Sequence, residues 1–346
     1  MSYIAKRMVK GLPYYYLEES FPLGGKWVKE SVYLGAQLPP TGELVKVYQE
    51  LRQKTLSKNH AVLVPPRTEF ISAGKAVALE AARKNKLEFL KKLPAEKRKE
   101  FLERERITFI SDSNAIEGSS LTYHETEQVL SQEKKFRNMK KKNRPIITGM
   151  SQDEQEAINL NNCLDRYEQY LKINEPVSEK IILQLHYILL QDIPNYEKYQ
   201  GIYRSVQVFI RGSMHEFPLP AQVPGLMKGL MDWYFDNHEL IHPVELAAKF
   251  HTQFTSIHPF ADGNGRMARL LMNYILQQRE FPFTNIPLKR RSPYMGTQAA
   301  GNTNDYKPFT KFLAEEVISQ HAKKVDQNPL EKTVAYAPKK KRDVKG

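Results

Sequence analysis

The chain has 346 residues, with 52 lysines and arginines against 39 aspartates and glutamates, a net charge of +13. That length accommodates one large domain and a small one, and the single cysteine, Cys163, excludes intramolecular disulfides and multi-cysteine zinc centres. No apolar run reaches the length of a membrane span and the first residues lack a secretory core, so the composition predicts a soluble, cytoplasmic protein with no membrane partner.

Residues 1–55 are expected to form a small β-rich N-terminal region. Tyr14-Tyr15-Tyr16-Leu17 and Val32-Tyr33-Leu34-Gly35 are strand-like runs on either side of a Gly24-Gly25 turn. Target docking and nucleic-acid contact both fit such a region. Residues 56–106 read as a helical linker region, broken at Pro94, with a lysine-rich stretch from Lys75 to Lys99 interleaved with Leu87, Phe89, Leu90 and Leu93. Residues 107–320 are expected to form a mostly helical core. Near its start, in 107–118, Ser113 and Glu117 stand one helical turn apart on one face, and Gly118 is a natural stop.

Lys134, Lys135, Arg137, Lys140, Lys141, Lys142 and Arg144 form a basic cluster, placed between helices. A solvated surface is the favoured reading; an acidic partner or nucleic acid is the other. Ala157, Leu160, Leu164, Tyr167 and Leu171 repeat at helical spacing with Cys163 beside them, and Ile181, Leu185, Ile188 and Leu189 make a second stripe. Val206, Val208 and Ile210 alternate with Gln207 and Phe209, which predicts a strand; Arg211-Gly212-Ser213 is a turn, and Met214 to Phe217 can return as a hairpin.

His238-Glu239-Leu240-Ile241-His242 has the form of a zinc-protease site, which works only within a helix. Pro243 disfavours helical geometry at His242, so the segment is expected to be a loop, with Pro243 as the first residue of the following helix. That helix carries Val244, Ala247, Ala248, His251 and Phe254, and a second carries Met267, Leu270, Leu271, Tyr274 and Ile275. Between them lies His258-Pro259-Phe260-Ala261-Asp262-Gly263-Asn264-Gly265-Arg266-Met267-Ala268-Arg269. A helix starting near Gly265 offers free backbone N–H groups to a phosphate. Arg266 and Arg269 share a face of its first turn and suit phosphate oxygens. Asp262 is a hard oxygen ligand of the kind Mg²⁺ takes, and His258 can accept a proton from a hydroxyl. Pro308-Phe309 and Phe312-Leu313 belong to a late helix. Residues 321–346 read as a basic, disordered tail ending in Pro338-Lys339-Lys340-Lys341-Arg342, which also resembles a nuclear-import signal.

The residues from His258 to Arg269 resemble the signature of the Fic (Fic/Doc, Fido) family, His-x-Phe-x-(Asp/Glu)-Gly-Asn-Gly-Arg-x-x-Arg, at every fixed position. The resemblance spans roughly residues 107–315. It implies a mainly α fold, with a helical core and a small β-hairpin flap over the active site following Gly201-x-Tyr203-Arg204. It also implies a protein adenylyltransferase, which moves AMP from ATP to a Ser, Thr or Tyr hydroxyl, the chain's own among them. His258 would be the base, and Asp262 would hold Mg²⁺ or Mn²⁺. Gly263, Asn264 and Gly265 would cradle phosphate, and Arg266 and Arg269 would clamp it. Asn273 would lie beside the phosphate or metal, and Tyr294 near the adenine. Ser113 and Glu117 fit the family's inhibitory pattern, in which the glutamate occupies the second arginine, here Arg269. Other nucleotide donors, AMP removal, and a nucleotide-switched module binding protein or nucleic acid stay open, as do the target protein and a homo-oligomer.

Overall fold

The computed structural model describes residues 2–9, 11–23, 26–40, 44, 47, 51, 67–138, 149–209 and 216–321. It contains two compact units, Met1–Arg67 and Thr68–Gly346.

The first unit is a three-stranded antiparallel sheet of β1 (Ser2–Val9), β2 (Leu12–Leu23) and β3 (Lys26–Gly35), in the order β1-β2-β3. The two strand-like runs of the sequence are β2 and β3, with a bulge at Tyr15/Tyr16; the Gly24-Gly25 turn expected between them lies outside the described residues. β1 is an addition to that expectation. Its own residues carry few β-branched side chains, and it is held by pairing along its whole length with β2, from Ser2 opposite Glu19 to Val9 opposite Leu12. Gly11 joins the two strands with φ +81°, a conformation that costs glycine little.

The second unit is helical. α1 (Ala73–Lys92) is capped by Ser72, whose hydroxyl accepts the Lys75 N–H. α2 (Ala95–Glu117) starts after Pro94 and ends at Gly118 with φ +113°. The break at Pro94 is therefore as expected, but the boundary drawn between residues 106 and 107 falls inside one continuous helix. α3 (Tyr123–Asn138) carries Lys134, Lys135 and Arg137, which the sequence had placed between helices; Lys140, Lys141, Lys142 and Arg144 lie outside the described residues.

α4 (Gln152–Lys172) begins with a reciprocal capping box between Ser151 and Glu154. It buries Ala157, Leu160, Cys163, Leu164 and Tyr167, and α5 (Glu179–Leu189) buries Ile181, Leu185 and Leu189. α6 (Val223–Asn237) is followed by α7 (Pro243–Ile257), α8 (Asn264–Gln278), α9 (Arg291–Gly301) and α10 (Lys307–His321). The residues of α8 from Met267 to Leu276 are buried on every side, as in a central helix surrounded by others; α2, α4, α5 and α7 all pack against it.

His238 to His242 is the connection between α6 and α7, and Pro243 is the first residue of α7. The His242 side chain accepts the Val244 N–H as an N-cap. Among the described residues no group of three or more His, Cys, Asp or Glu side chains is arranged to hold a metal ion, and no helix is long and apolar enough to cross a membrane.

The expected flap strand is not seen: residues 205–209 carry no strand, and residues 210–215 lie outside the described residues. The two legs are instead joined by side chains. Arg204 donates to the carbonyls of Val206 and Pro218, and Gln207 donates to the Phe217 carbonyl. A guanidinium that meets both legs takes the place of a backbone ladder, and Phe209 faces solvent rather than a core.

Residues 69–70 are fastened to α7 by Glu245, which is buried. Its carboxylate accepts the N–H groups of Glu69 and Phe70 and pairs with Lys249 at 3.3 Å. Removing it takes the acceptor from both N–H groups and one of two carboxylates from the buried Lys249. Glu245→Ala is expected to destabilise the helical unit by about 3 kcal/mol; a urea midpoint unchanged from the native protein would contradict that.

Candidate active site

α7 ends where His258 takes a left-handed conformation, φ 51° and ψ 60°. That geometry is costly for a residue with a Cβ and persists only where surroundings enforce it. Arg204 supplies the enforcement: its N–H donates to the Pro259 carbonyl at 2.9 Å and its Nε to the His258 carbonyl at 2.8 Å. The His258 ring lies against Phe217, with centroids 4.4 Å apart, and its Nδ1 is 3.3 Å from the Thr255 carbonyl. With the proton on Nδ1, Nε2 is left as an acceptor. Burial pushes the His258 pKa down to about 4, so the ring is neutral near pH 7.

The loop then runs through Phe260 to Gly263. Asn264 spends its side chain within the loop, accepting from the Phe260 N–H and donating to the Phe260 carbonyl. Gly263 has φ +78°, and a Cβ there would lie 2.9 Å from Leu189 Cδ2. Only glycine fits this N-cap. Beneath the loop, His186 of α5 stacks on Phe260 with centroids 3.6 Å apart and planes 5° from parallel. Its Nδ1 accepts the Gly201 N–H, so its proton resides on Nε2 and is donated to the Asp262 carbonyl at 3.1 Å. One neutral imidazole thus ties α5, the 199–204 segment and the loop together. Burial holds its pKa at about 4.

Asp262 is half-exposed, and its Oδ2 lies 3.0 Å from Arg266 Nη2. Arg266 is buried and also pairs with Glu156 at 2.9 Å. Two carboxylates therefore hold this guanidinium beneath the loop, where it orients Asp262.

Arg269 is 1% exposed and is met from α2. Its Nε donates to Ser113 Oγ and its Nη2 to the Ser113 carbonyl, both at 2.9 Å, and Nη2 also reaches Glu117 Oε1 at 2.8 Å. Burial works against the charge of Glu117, but the Arg269 charge and hydrogen bond outweigh it and hold the carboxyl below its ordinary pKa. The Glu117 carboxylate also sits over the first turn of α8: a Cβ on Gly265 would lie 2.1 Å from its Oε1. That is where a helix N-terminus favours an anion. The end of α2 is fixed from a third side. Asp112 accepts from the Leu288 N–H and the Asn285 side chain, and Arg291 donates to the Ile116 carbonyl.

Two expected site residues have other tasks. Asn273 is fully buried, with its amide donating to the Arg269 and Thr284 carbonyls and accepting the Thr284 N–H. Both of its amide protons and one acceptor position of its oxygen are engaged by the backbone. Tyr294 is buried among Phe309 and Phe312, with its hydroxyl 3.4 Å from Arg269 Nη1 and 3.0 Å from His251 Nε2. It backs Arg269 from the side of α9. His186 and Glu156 carry no mark of a site in the sequence, and His251 is legible there only as part of the stripe of α7. A lone histidine on an amphipathic helix reads as core. Glu156 is legible only as an acid beside the apolar stripe of α4.

Residues 176–276 match the Fic/DOC family model. The chain is 33% identical over 208 residues to a protein adenylyltransferase Fic of Nematostella vectensis, covering 59% of this chain and 45% of that protein. A relative of the same name from Drosophila virilis is also 33% identical, with 60% and 40% covered. The chain therefore spans less than half the length of these curated relatives. A Fic domain containing signaling protein of Bacteroides thetaiotaomicron superposes with a TM-score of 0.58 at 28% identity, covering 70% of this chain and 93% of that one. Fic-1 of C. elegans shares the fold, with a TM-score of 0.59 at 24% identity. Within the helical unit, the matched segment runs from α5 to α8 and includes the loop at the start of α8, and it is this segment that is similar to a Fic/DOC domain.

Burial holds His186, His242 and His258 neutral, with pKa values of about 4, and lowers His251 and His321 further. Protonation therefore favours the unfolded chain, whose histidines titrate near 6.5. The stability these groups contribute is present above pH 6.5 and is lost as pH falls towards 4. The raised carboxyls of Glu105 and Asp112 oppose this, but they are two against five. The melting temperature is expected to fall steeply between pH 6.5 and 4.5; a flat profile over that range would show that these rings are not held neutral.

Proposed function

We propose that this chain is an autoinhibited protein adenylyltransferase that moves AMP from ATP to a Ser, Thr or Tyr hydroxyl of a protein, its own included. The observation that carries the reading is the N-terminus of α8. Neutral His258 and the Asp262 carboxylate lie at its rim, and the Glu117 carboxylate occupies its anion position on Arg269. The names of the curated relatives point the same way.

In this reading the acceptor hydroxyl gives its proton to His258 Nε2, and its oxygen bonds to the α-phosphorus of ATP. The α–β phosphoanhydride bond breaks and pyrophosphate leaves. His258 is suited to this because it is neutral and its ring is held by Thr255 and Phe217. Backbone N–H groups of Gly263, Asn264 and Gly265, in a first turn without intrahelical partners, face the phosphates. Arg269, once released from Glu117, meets the γ-phosphate, and Arg266 keeps Asp262 in place. A single half-exposed carboxylate suits Mg²⁺ or Mn²⁺, which keeps waters and takes phosphate oxygens as its other ligands. Such an ion would neutralise phosphate charge.

Glu117 blocks the productive pose by occupying the charge partner of the nucleotide. Its side chain is 39% exposed, so its exit needs little unpacking of the core. The same exposed carboxylate beside Gly265 is what would orient a water in a second reading, removal of AMP from a modified protein. The single buried cysteine accords with a reducing, cytoplasmic setting.

Label transfer from α-labelled ATP with Mg²⁺ tests the reading. Glu117→Gly is expected to raise labelling of itself or of proteins in a lysate well above the native chain. Adding His258→Ala is expected to lower it by about 10²- to 10⁴-fold while nucleotide binding persists. Equal labelling with and without His258 would remove it as the base. Equal labelling of native and Glu117→Gly protein would remove autoinhibition. Loss of label from an AMP-modified protein, with no transfer, would favour the second reading.

A further inference from the structure

The N-terminal sheet takes no part in the chemistry above, and its two faces differ. Alternation along the strands places Arg7, Tyr14, Tyr16, Glu18, Lys29, Ser31 and Tyr33 on one face. Leu17, which is buried, and the acidic Glu19 and Glu30 belong to the other. On the first face Tyr33 packs between Tyr14 and Tyr16, with ring centroids 6.1 and 5.3 Å away. The Arg7 guanidinium lies 4.5 Å over the Tyr16 ring.

Tyr14 and Tyr16 are half-buried on this face, which is open at Tyr33 and at the two cations. Tyr33 is 52% exposed, and the Arg7 and Lys29 side chains are 50% and 45% exposed. Both cations pair with the buried Glu18 carboxylate. The buried acid fixes where the two cations stand. Residues 1–67 as a whole hold ten lysines and arginines against five glutamates and no aspartate.

We propose that the Tyr14, Tyr16 and Tyr33 face of the sheet, bordered by Arg7 and Lys29, is a docking surface for single-stranded nucleic acid. The partner must supply flat apolar faces for the tyrosine rings and regularly spaced anions for the cations. An unpaired strand supplies both, and stacking on its bases is tolerant of sequence. A duplex buries its base faces in its own stack and offers mainly edges and phosphates. An acidic peptide supplies the anions without the planes. The inference does not depend on the transferase reading.

The test uses the full chain and the anisotropy of end-labelled single-stranded RNA and DNA of mixed sequence. A duplex of equal length and poly-glutamate serve as competitors. Single strands are expected to bind, and to be displaced by unlabelled strand far better than by duplex or poly-glutamate. Tyr33→Ala should weaken binding about tenfold, as expected for one lost stacking contact, while Tyr33→Phe retains it. Lys29→Gln should lower the slope of log affinity against log salt by about 0.7. Melting curves of the three variants matching the native protein would show that the sheet is intact. No binding at low salt would overturn the proposal, as would equal competition by duplex or poly-glutamate. An unchanged affinity in Tyr33→Ala would place the contact elsewhere, on the basic tail or the helical unit, and would overturn it too.

Discussion

A guanidinium withdrawn from water must be met on every side, and Arg269 sets that requirement at the centre of the helical unit. Ser113 and Glu117 meet it from α2, and the Tyr294 hydroxyl approaches it from α9, with His251 of α7 behind. Three helices thus converge on one side chain of a fourth, α8. This explains why α2 is pinned so firmly at its end by Asp112 and Arg291. If the carboxylate leaves, the charge needs another anion. Any anion that took the place of the carboxylate would meet the same guanidinium and the same helix start.

The loop before α8 solves a second problem, that of presenting His258 and Asp262 without burying unpaired backbone. Arg204 takes the carbonyls of His258 and Pro259, His186 takes that of Asp262, and Asn264 takes both polar groups of Phe260. With its carbonyls and N–H groups engaged from below, the loop holds a left-handed histidine and a left-handed glycine five residues apart. The residues that touch no reactant therefore have as much to do with the site's shape as those that would.

The N-terminal sheet follows a different rule. It buries little, and its order comes from ladder pairing and from Glu18 beneath two cations. A buried acid at the centre of an aromatic face restrains the charges it attracts.

Much was legible in the sequence because the signals were local. Pro94 and Pro243 mark helix starts, Gly118 a helix stop, and the stripes of α4 and α5 follow from a 3.6-residue period. The turn at Gly263 and the pairing of Ser113 with Glu117 on one helix face are equally short-range. The flap strand was read from alternation alone, and alternation says nothing of Arg204, whose side chain reaches both legs. Asn273 and Tyr294 looked like ligand residues by resemblance, yet their polar atoms are taken by Thr284, Arg269 and His251, which lie at distances in sequence that no pattern reports. The sequence by itself determined the helix boundaries at Pro94, Gly118 and Pro243, the buried stripes of α4 and α5, and the string of residues from His258 to Arg269. Only the tertiary structure decided which polar groups are spent on one another, because burial leaves each of them dependent on partners that the chain brings together only when folded.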